Sequence, residues 1–530
     1  MEDRDRPRPS LGRPQGRDPV WQRAVPASIG ARTAPVVVFV VALVAYVRTL
    51  LPGIAFDDWG EMQSVPAVMG IAHPTGYPTY IIAARLFEIL PFGSIAYRSN
   101  LFSAVLVSLA LATLSWTAIR LGVRPAIAAG VALATGAVGT VWAAATVAEV
   151  NPLHLLMMAL LLDRAIAWAD RSRPLDLGLC GLLTGLALGN HLLTLFVAPF
   201  LGVFALWSGK RAIAEQPLLL LLPIVTLLVG LTVYAYIPLA ARFDPPLPYN
   251  HPTTIDSFLF LVTGTQFRAQ ETSIVSGDSL RTTVDALPAL VGLMLARGAV
   301  VLPVAGVAGL LVLLVRRPAL ALPLVGILLA GAVVWANYLR LEHYLLVPFL
   351  VLGLGAAVAL EAAARTATAK LPSGAGRMAA PVAIAAGLAG AIVVAAVSLP
   401  AADRSADRTG DDYVATVTSQ LPQNAAFMSF WGASTPLWHA QHVRGERPDV
   451  LIVDDTNIVY EFGGTREERI LQLVCQRPVY ILRPGEADLV PTRAEFTLKA
   501  AFSVVVGIGG PSGTTPLTVY RVVAAADTCG

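Results

Sequence analysis

The chain has 530 residues, of which 55% are hydrophobic and only 14% charged. A mean hydropathy of +0.66 excludes an ordinary soluble protein, and a net charge of +3 gives no basis for a nucleic-acid partner. Three cysteines, Cys180, Cys475 and Cys529, make neither a disulfide framework nor a zinc pattern, although one bridge between Cys475 and Cys529 is open in an oxidising compartment.

Residues 1–32 are Arg- and Pro-rich, with no apolar core of a signal peptide, and read as a disordered cytoplasmic arm. About eleven apolar stretches follow, each long enough to span a bilayer or nearly so. They lie at 33–51, 98–120, 125–144, 151–168, 174–189, 191–208, 217–239, 299–315, 318–337, 343–364 and 378–400. Seven arginines precede the first. With that arm inside, the inner loops hold Arg120 and Arg124, Arg171 and Arg173, Lys210 and Arg211, Arg316 and Arg317, then Arg365, Lys370 and Arg377. Every inner loop is basic, which orients the chain. The outer side receives the loops at 52–97 and 240–298 and the tail at 401–530. The tail changes character, alternating short β-like runs (Ala425 to Phe430, Val450 to Val453, Val479 to Leu482) with helical stretches, and reads as a small α/β domain. The predicted fold is therefore a mainly α, polytopic membrane domain at 33–400 with a soluble α/β domain behind it.

The first outer loop reads Phe56-Asp57-Asp58-Trp59-Gly60-Glu61 and continues to His73-Pro74-Thr75-Gly76-Tyr77-Pro78. Three carboxylates fall directly after a span. Partial desolvation there raises carboxylate basicity and suits it to take a proton from an acceptor hydroxyl. The prolines and Gly76 predict a rigid turn presenting His73 and Tyr77, followed by a helix of interfacial length from Thr79 to Leu90. The plain alternative is a solvated connecting loop.

Asp58-x-Gly-Glu61 followed by His73-Pro-x-Gly-Tyr77-Pro78 resembles the first luminal loop of a GT-C-type membrane glycosyltransferase family that includes a vertebrate transmembrane protein O-mannosyltransferase. Ala148-Glu149-Val150, Gly189-Asn190-His191, the stretch from Asn250 through Thr263-Gly264-Thr265-Gln266-Phe267-Arg268, and Trp431 to Tyr460 resemble further segments of it. The chain departs from the family at Asn151, where an aromatic is expected, and at His251. The resemblance implies a GT-C fold, a polyprenyl-phosphate-linked sugar donor (mannose among the candidates), inverting transfer to a protein or glycan acceptor, and a catalytic first loop. It also implies a multi-pass protein of a bacterial plasma membrane, with its C-terminal domain outside.

Within that frame Asp58 is the expected general base, with Asp57 as runner-up, or as a helix N-cap, and Glu61 beside them to orient acceptor or base. His73 and Tyr77 are expected near donor phosphate or sugar. Glu149 sits at the outer end of a span. Asn190 and His191 read chiefly as a satisfied helix turn. Gln266, Arg268, Arg340, Glu342 and His343 are placed near the leaving phosphate by chemical need, the alternative being arginines that snorkel to the interface. The spacing of Asp57, Asp58, Glu61 and His73 fits no standard ligand pattern, so neither metal nor other cofactor is expected. The competing functions are a polytopic transporter or flippase of a lipid-linked precursor, which would show ionisable groups within spans and repeated broken helices, and a scaffold acting through its tail.

Overall fold

The computed structural model describes residues 29–267, 274, 276–455, 464–507 and 513–524. Each predicted span coincides with a helical segment. Among the described residues, eight helices are long and apolar enough to cross a membrane. Seven of them lie in predicted spans: α1 (Ile29–Arg48), α4 (Ile95–Arg120), α7 (Asn151–Arg171), α10 (Pro217–Ala241), α13 (Pro318–Asn337), α14 (Glu342–Lys370) and α15 (Ser373–Ala402). Three predicted spans are shorter helices, α8 (Pro174–Leu188), α9 (Ala198–Ser208) and α12 (Val301–Arg316). One is a pair, α5 (Pro125–Gly136) and α6 (Gly139–Ala145), bent by 76°. Helices pack closely where both carry small residues: a Cβ on Gly309 of α12 would strike the backbone of Gly355 in α14. Such contacts let dispersion and packing hold helices together where no hydrophobic drive exists between them.

The eighth long helix, α11 (Ser279–Arg297), falls in the predicted outer loop at 240–298. Arg281, Asp285 and Pro288 interrupt its apolar pattern, which hid it. Near its start, Asn337 Nδ2 donates to Ser279 O and Thr283 Oγ1 at 3.3 and 2.9 Å; at its end, Arg297 bonds both Glu342 oxygens at 3.0 and 2.8 Å. Asn337 closes α13 and Glu342 opens α14 at the same end of the bundle. Helix α11 therefore lies across that end, and the two-sided order of the predicted loops is kept.

The opposite end gathers the arginines of the predicted inner loops into ion pairs. Arg120 holds Asp163 at 3.0 Å, Arg171 holds Asp176 at 3.1 Å, and Arg365 holds Glu361 at 2.6 Å. Asp163, Asp176 and Glu361 are buried. Removing one partner of such a pair strands a charge at a cost of about 3–5 kcal/mol.

Between α1 and α4 the first loop folds as two short helices, α2 (Asp57–Ser64) and α3 (Pro78–Glu88), the latter matching the predicted interfacial helix. The tail is a five-stranded sheet in the order β2-β1-β3-β5-β4. The strands are β1 (Ala426–Ser429), β2 (Leu451–Asp454), β3 (Val479–Leu482), β4 (Thr497–Gly507) and β5 (Thr514–Val523). β1 pairs in parallel with β2 and β3, while β5 runs antiparallel to β3 and β4. Ala426, Phe427 and Met428 are buried on both faces of β1, as a central parallel strand requires. Cys475 is disulfide-bonded and Cys180 is free and buried; Cys529 lies outside the described residues.

Helix α16 (Trp431–Trp438) leaves the end of β1 and packs on α2. The approach is close because both sides carry glycine: a Cβ on Gly60 would strike Thr435, and one on Gly432 would strike Asp57. Thr435 Oγ1 also donates to Asp57 O at 2.9 Å. The tail thus sits directly on the first loop.

Candidate active site

Helix α2 positions the carboxylates. Its N-cap is Phe56, without a side-chain cap bond, so Asp57 is not the cap. Asp57 adopts a left-handed backbone (φ 55°), a strained conformation for a non-glycine residue. Glu61 is 1% exposed and turns inward, accepting from His73 N at 2.8 Å and bonding His73 Nδ1 through its other oxygen. His73 Nε2 meets Tyr77 OH at 3.0 Å. The predicted rigid turn is thereby fastened to the helix that precedes it. Burial pulls the His73 imidazole down, but the charges of Glu61 and Asp58 outweigh it and raise it to about 9. Burial pushes Glu61 up, so the pair keeps a proton between them across neutral pH. Burial, helped by Asp58, raises Asp57 to about 6. Burial also keeps Tyr77 protonated as a hydrogen-bond donor.

Asp58 is exposed, and its Oδ1 accepts from Trp431 Nε1 at 2.8 Å. The Trp431 ring stands edge-on to His73, with centroids 5.7 Å apart, and lies 6.0 Å from Tyr249. Tyr249 belongs to the second outer loop. That loop joins the first by a bridge between Ile71 and Pro248, with Ile71 N bonded to Leu247 O at 2.8 Å and Tyr249 N to Ile71 O at 3.1 Å. Two loops and the tail therefore meet at Asp58.

Two cavities adjoin there. One, of about 390 Å³, has an apolar wall of Leu192, Leu193, Phe196 and Val334 and polar groups from Tyr77, His191 and Tyr344. The other, of about 630 Å³, runs between α6, the end of α15 and the tail, and holds Arg340 and Arg404. Asp58, Glu149 and His343 line both, so they form the partition.

Most predicted residues reach these cavities. His73, Tyr77, His191 and Gln266 line the first, and Asp57, Arg340 and Glu342 the second. Gln266 accepts from Tyr249 OH at 2.9 Å. Glu149 is fully engaged: Oε2 accepts from Trp59 Nε1 at 3.0 Å, and Oε1 from Val150 N at 2.9 Å and Asn151 Nδ2 at 3.0 Å. Asn151, where the resemblance departs, thus orients the carboxylate beside it. Asn190 is fully buried; its Nδ2 donates to Val150 O at 3.1 Å, but its Oδ1 has no partner among the described residues, so the turn is not the fully satisfied one expected. Glu342 is paired with Arg297 and accepts from Thr140. Arg340 is exposed, beside the Trp335 ring. Arg268 lies outside the described residues. Asp58, Glu61 and His73 bring ligand atoms within 4.8 Å of one another, a metal-compatible cluster that linear spacing did not suggest.

Three contributors escaped sequence reasoning. Tyr249 carried no local signal beyond being aromatic, and Trp431 stood out only as the start of a resembling tail segment, with nothing to tie it to Asp58. Arg404 did carry a local signal: an arginine directly after the last span on the outer side runs against the basic-inside bias.

The protein O-mannosyl-transferase TMEM260 N-terminal domain family matches residues 58–214. The chain is 30% identical over 251 residues to the mouse protein O-mannosyl-transferase TMEM260, covering 44% of this chain but only 34% of the mouse protein, so it spans about a third of that relative's length. Among solved structures it is similar to ArnT from Cupriavidus metallidurans in the apo state, with TM-score 0.56 and 14% identity, covering 94% of this chain and 99% of that one. The undecaprenyl-phosphate-bound ArnT structure matches with TM-score 0.53 at 14% identity, covering 94% and 98%. The chain thus carries a segment like the TMEM260 N-terminal domain around its first loop, on a fold like that of ArnT.

Proposed function

We propose that this protein transfers a sugar from a polyprenyl-phosphate donor to an acceptor hydroxyl on the face of the membrane where the first loop lies, by inverting displacement with Asp58 as general base. The observation that carries this reading is the position of Asp58, exposed on the partition between an apolar-walled cavity and a polar one. An inverting displacement needs acceptor and leaving group on opposite faces of the sugar carbon. Two cavities on either side of one carboxylate supply that arrangement.

The isoprenoid lies along Leu192, Leu193, Phe196 and Val334, with the sugar directed at Asp58. The acceptor oxygen enters from the larger cavity, loses its proton to Asp58 and attacks the anomeric carbon as the bond to phosphate oxygen breaks. The phosphate leaves with the electron pair, and N–H and O–H donors from His191, His343 and Tyr344 take up its growing charge. Trp431 holds the Asp58 carboxylate in one orientation from the tail. Glu61 and His73 act as a bonded pair that braces the loop. In this reading no metal is required, and chelation leaves transfer intact. Mannose is the first sugar to test, from the name of the mouse relative.

The proposed location is a bacterial plasma membrane with the N-terminal arm inside and the tail outside. The ion-paired arginines at the end away from the site and the disulfide-bonded Cys475 support that orientation. The transporter reading loses ground because the buried acids Asp163, Asp176 and Glu361 are neutralised by arginines rather than lining a path.

The test is transfer by purified Asp58→Asn in lipid, with a thermal melt as folding control. The variant is expected to lose activity by about 10²–10⁴-fold while melting like the parent. Full activity would remove Asp58 from the role.

A further inference from the structure

We infer that the cavity of about 630 Å³ is an acceptor site that recognises an anionic group through Arg404, and that the acceptor is a protein segment bearing an acidic side chain next to its hydroxyl. This rests on the reading of Asp58 as the base between the two cavities.

Arg404 is 4% exposed. Its backbone N–H is tied to Thr49 O at 3.0 Å, and its guanidinium lies 4.8 Å from the centroid of the Trp59 ring. Among the described residues no carboxylate or carbonyl bonds its side chain, and its Nε is buried without a partner. Burial pushes it down to about 10, so it still carries its charge at neutral pH. A buried, charged and unpaired guanidinium is costly unless something outside the chain completes it. Asp407 and Glu149 act on it through space, but neither forms an ion pair with it, and the nearby carboxylates have other partners. Glu149 is held by Trp59, Val150 and Asn151. Glu342 is held by Arg297 and Thr140. Asp407 Oδ1 accepts from Thr409 N at 2.9 Å. Asp58 accepts from Trp431, and Asp57 feels chiefly burial and Asp58. Arg340 adds a second positive charge to the same cavity.

A planar guanidinium fixed against an aromatic face presents a fork suited to a carboxylate or phosphate. The apolar-walled cavity suits the donor, which leaves the cationic one to the acceptor. A small extension of about 40 Å³ shares Asp57, Trp59, Arg404 and Gly513 with it and leads between the domains past Thr409 and Thr514. That path along the domain junction fits an extended chain running across Asp58, with its hydroxyl at the base and a neighbouring carboxylate at Arg404.

The test uses the full chain in lipid nanodiscs and needs no sugar transfer. The probes are a fluorescent peptide containing Asp-Ser-Thr-Glu, its uncharged counterpart Asn-Ser-Thr-Gln, and undecaprenyl phosphate. The parent is expected to bind the acidic peptide at least about tenfold more tightly than the amide peptide. Arg404→Gln is expected to erase that preference and to keep its affinity for undecaprenyl phosphate within about twofold of the parent's. Absence of the preference in the parent, or its survival in Arg404→Gln, overturns the inference. So does a loss confined to undecaprenyl phosphate, which would assign the anion to the donor. If Arg404→Gln does not fold, Arg404→Lys and Arg340→Gln decide. The preference should fall in the first, where the planar fork is lost, and hold in the second; the reverse overturns the inference. A parent that ignores undecaprenyl phosphate yet shows the Arg404-dependent preference would sink the donor reading and leave the acidic-segment site standing.

Discussion

At the end of the bundle away from the site, Asp163 is clasped by Arg120 and Arg164, Asp176 by Arg164 and Arg171, and Glu361 by Arg365. At the site end, Asp58 keeps only an indole N–H on one oxygen, Asp57 is left near the middle of the pH scale, and Arg404 faces a cavity without an ion partner among the described residues. Both ends bury charge. One closes every pair within the chain and gains a fixed geometry; the other leaves valences open. Unsatisfied polar groups destabilise a fold, so they persist where something else is to be bound or a proton moved.

The contrast can be broken most directly at the closed end. Asp163→Asn should cost about 3–5 kcal/mol of stability, read as a lowered melting temperature, with transfer per folded molecule unchanged. Replacing Arg120 and Asp163 together by Met and Leu should recover most of that loss. If Asp163→Asn instead abolished transfer at full stability, the division between the ends would fail.

At the open end, Trp431→Phe keeps an aromatic ring but removes the N–H that Asp58 accepts, together with part of the indole. Transfer should fall by about tenfold to a hundredfold, matching one hydrogen bond to a charged group. An unchanged rate in this variant would reduce Trp431 to packing.

The Glu61–His73 pair is a closed device at the site end, and it predicts a pH dependence of stability. His73 is raised from an ordinary 6.5 to about 9. Its contribution is therefore fully present below about 6.5 and lost as pH rises through about 9. The melting temperature should drop across that window, and less steeply in His73→Gln. The smallest effect belongs to Asp57→Asn. Transfer should change only a few-fold, but an inflection near pH 6, where Asp57 titrates, should vanish from the rate profile.

Much of this architecture was legible in the sequence because the bilayer restricts what apolar stretches can do. Span positions, basic loops and the strands of the tail depend on local composition, and all appear near their predicted places. Helix α11 was missed because Arg281, Asp285 and Pro288 break the continuous apolar run that a span would show, whereas a helix lying across the bundle end tolerates them. The carboxylate loop stood out through its density of acidic and turn-forming residues. Its partners did not. Glu61 bonding His73 depends on how α2 and the turn fold back, and Trp431 reaches Asp58 across a sequence separation of 373 residues. No periodicity or spacing encodes a contact of that length. Arg404 could have been noticed as a basic residue on the wrong side, but only its burial distinguishes it from an arginine reaching for solvent.

That separation of 373 residues has a consequence for how the molecule comes into being. Asp58 emerges from the ribosome early, with the first helices, whereas Trp431 and the helix that carries it arrive only after the last apolar helix has been threaded. Until then the acidic loop has no lid from the tail, and Gly60 and Gly432 have nothing to close upon. A nascent or truncated chain would hold the donor cavity without a finished catalytic wall. Timing is thus written into topology: the contact between Asp58 and Trp431 can form only after the last apolar helix has been made.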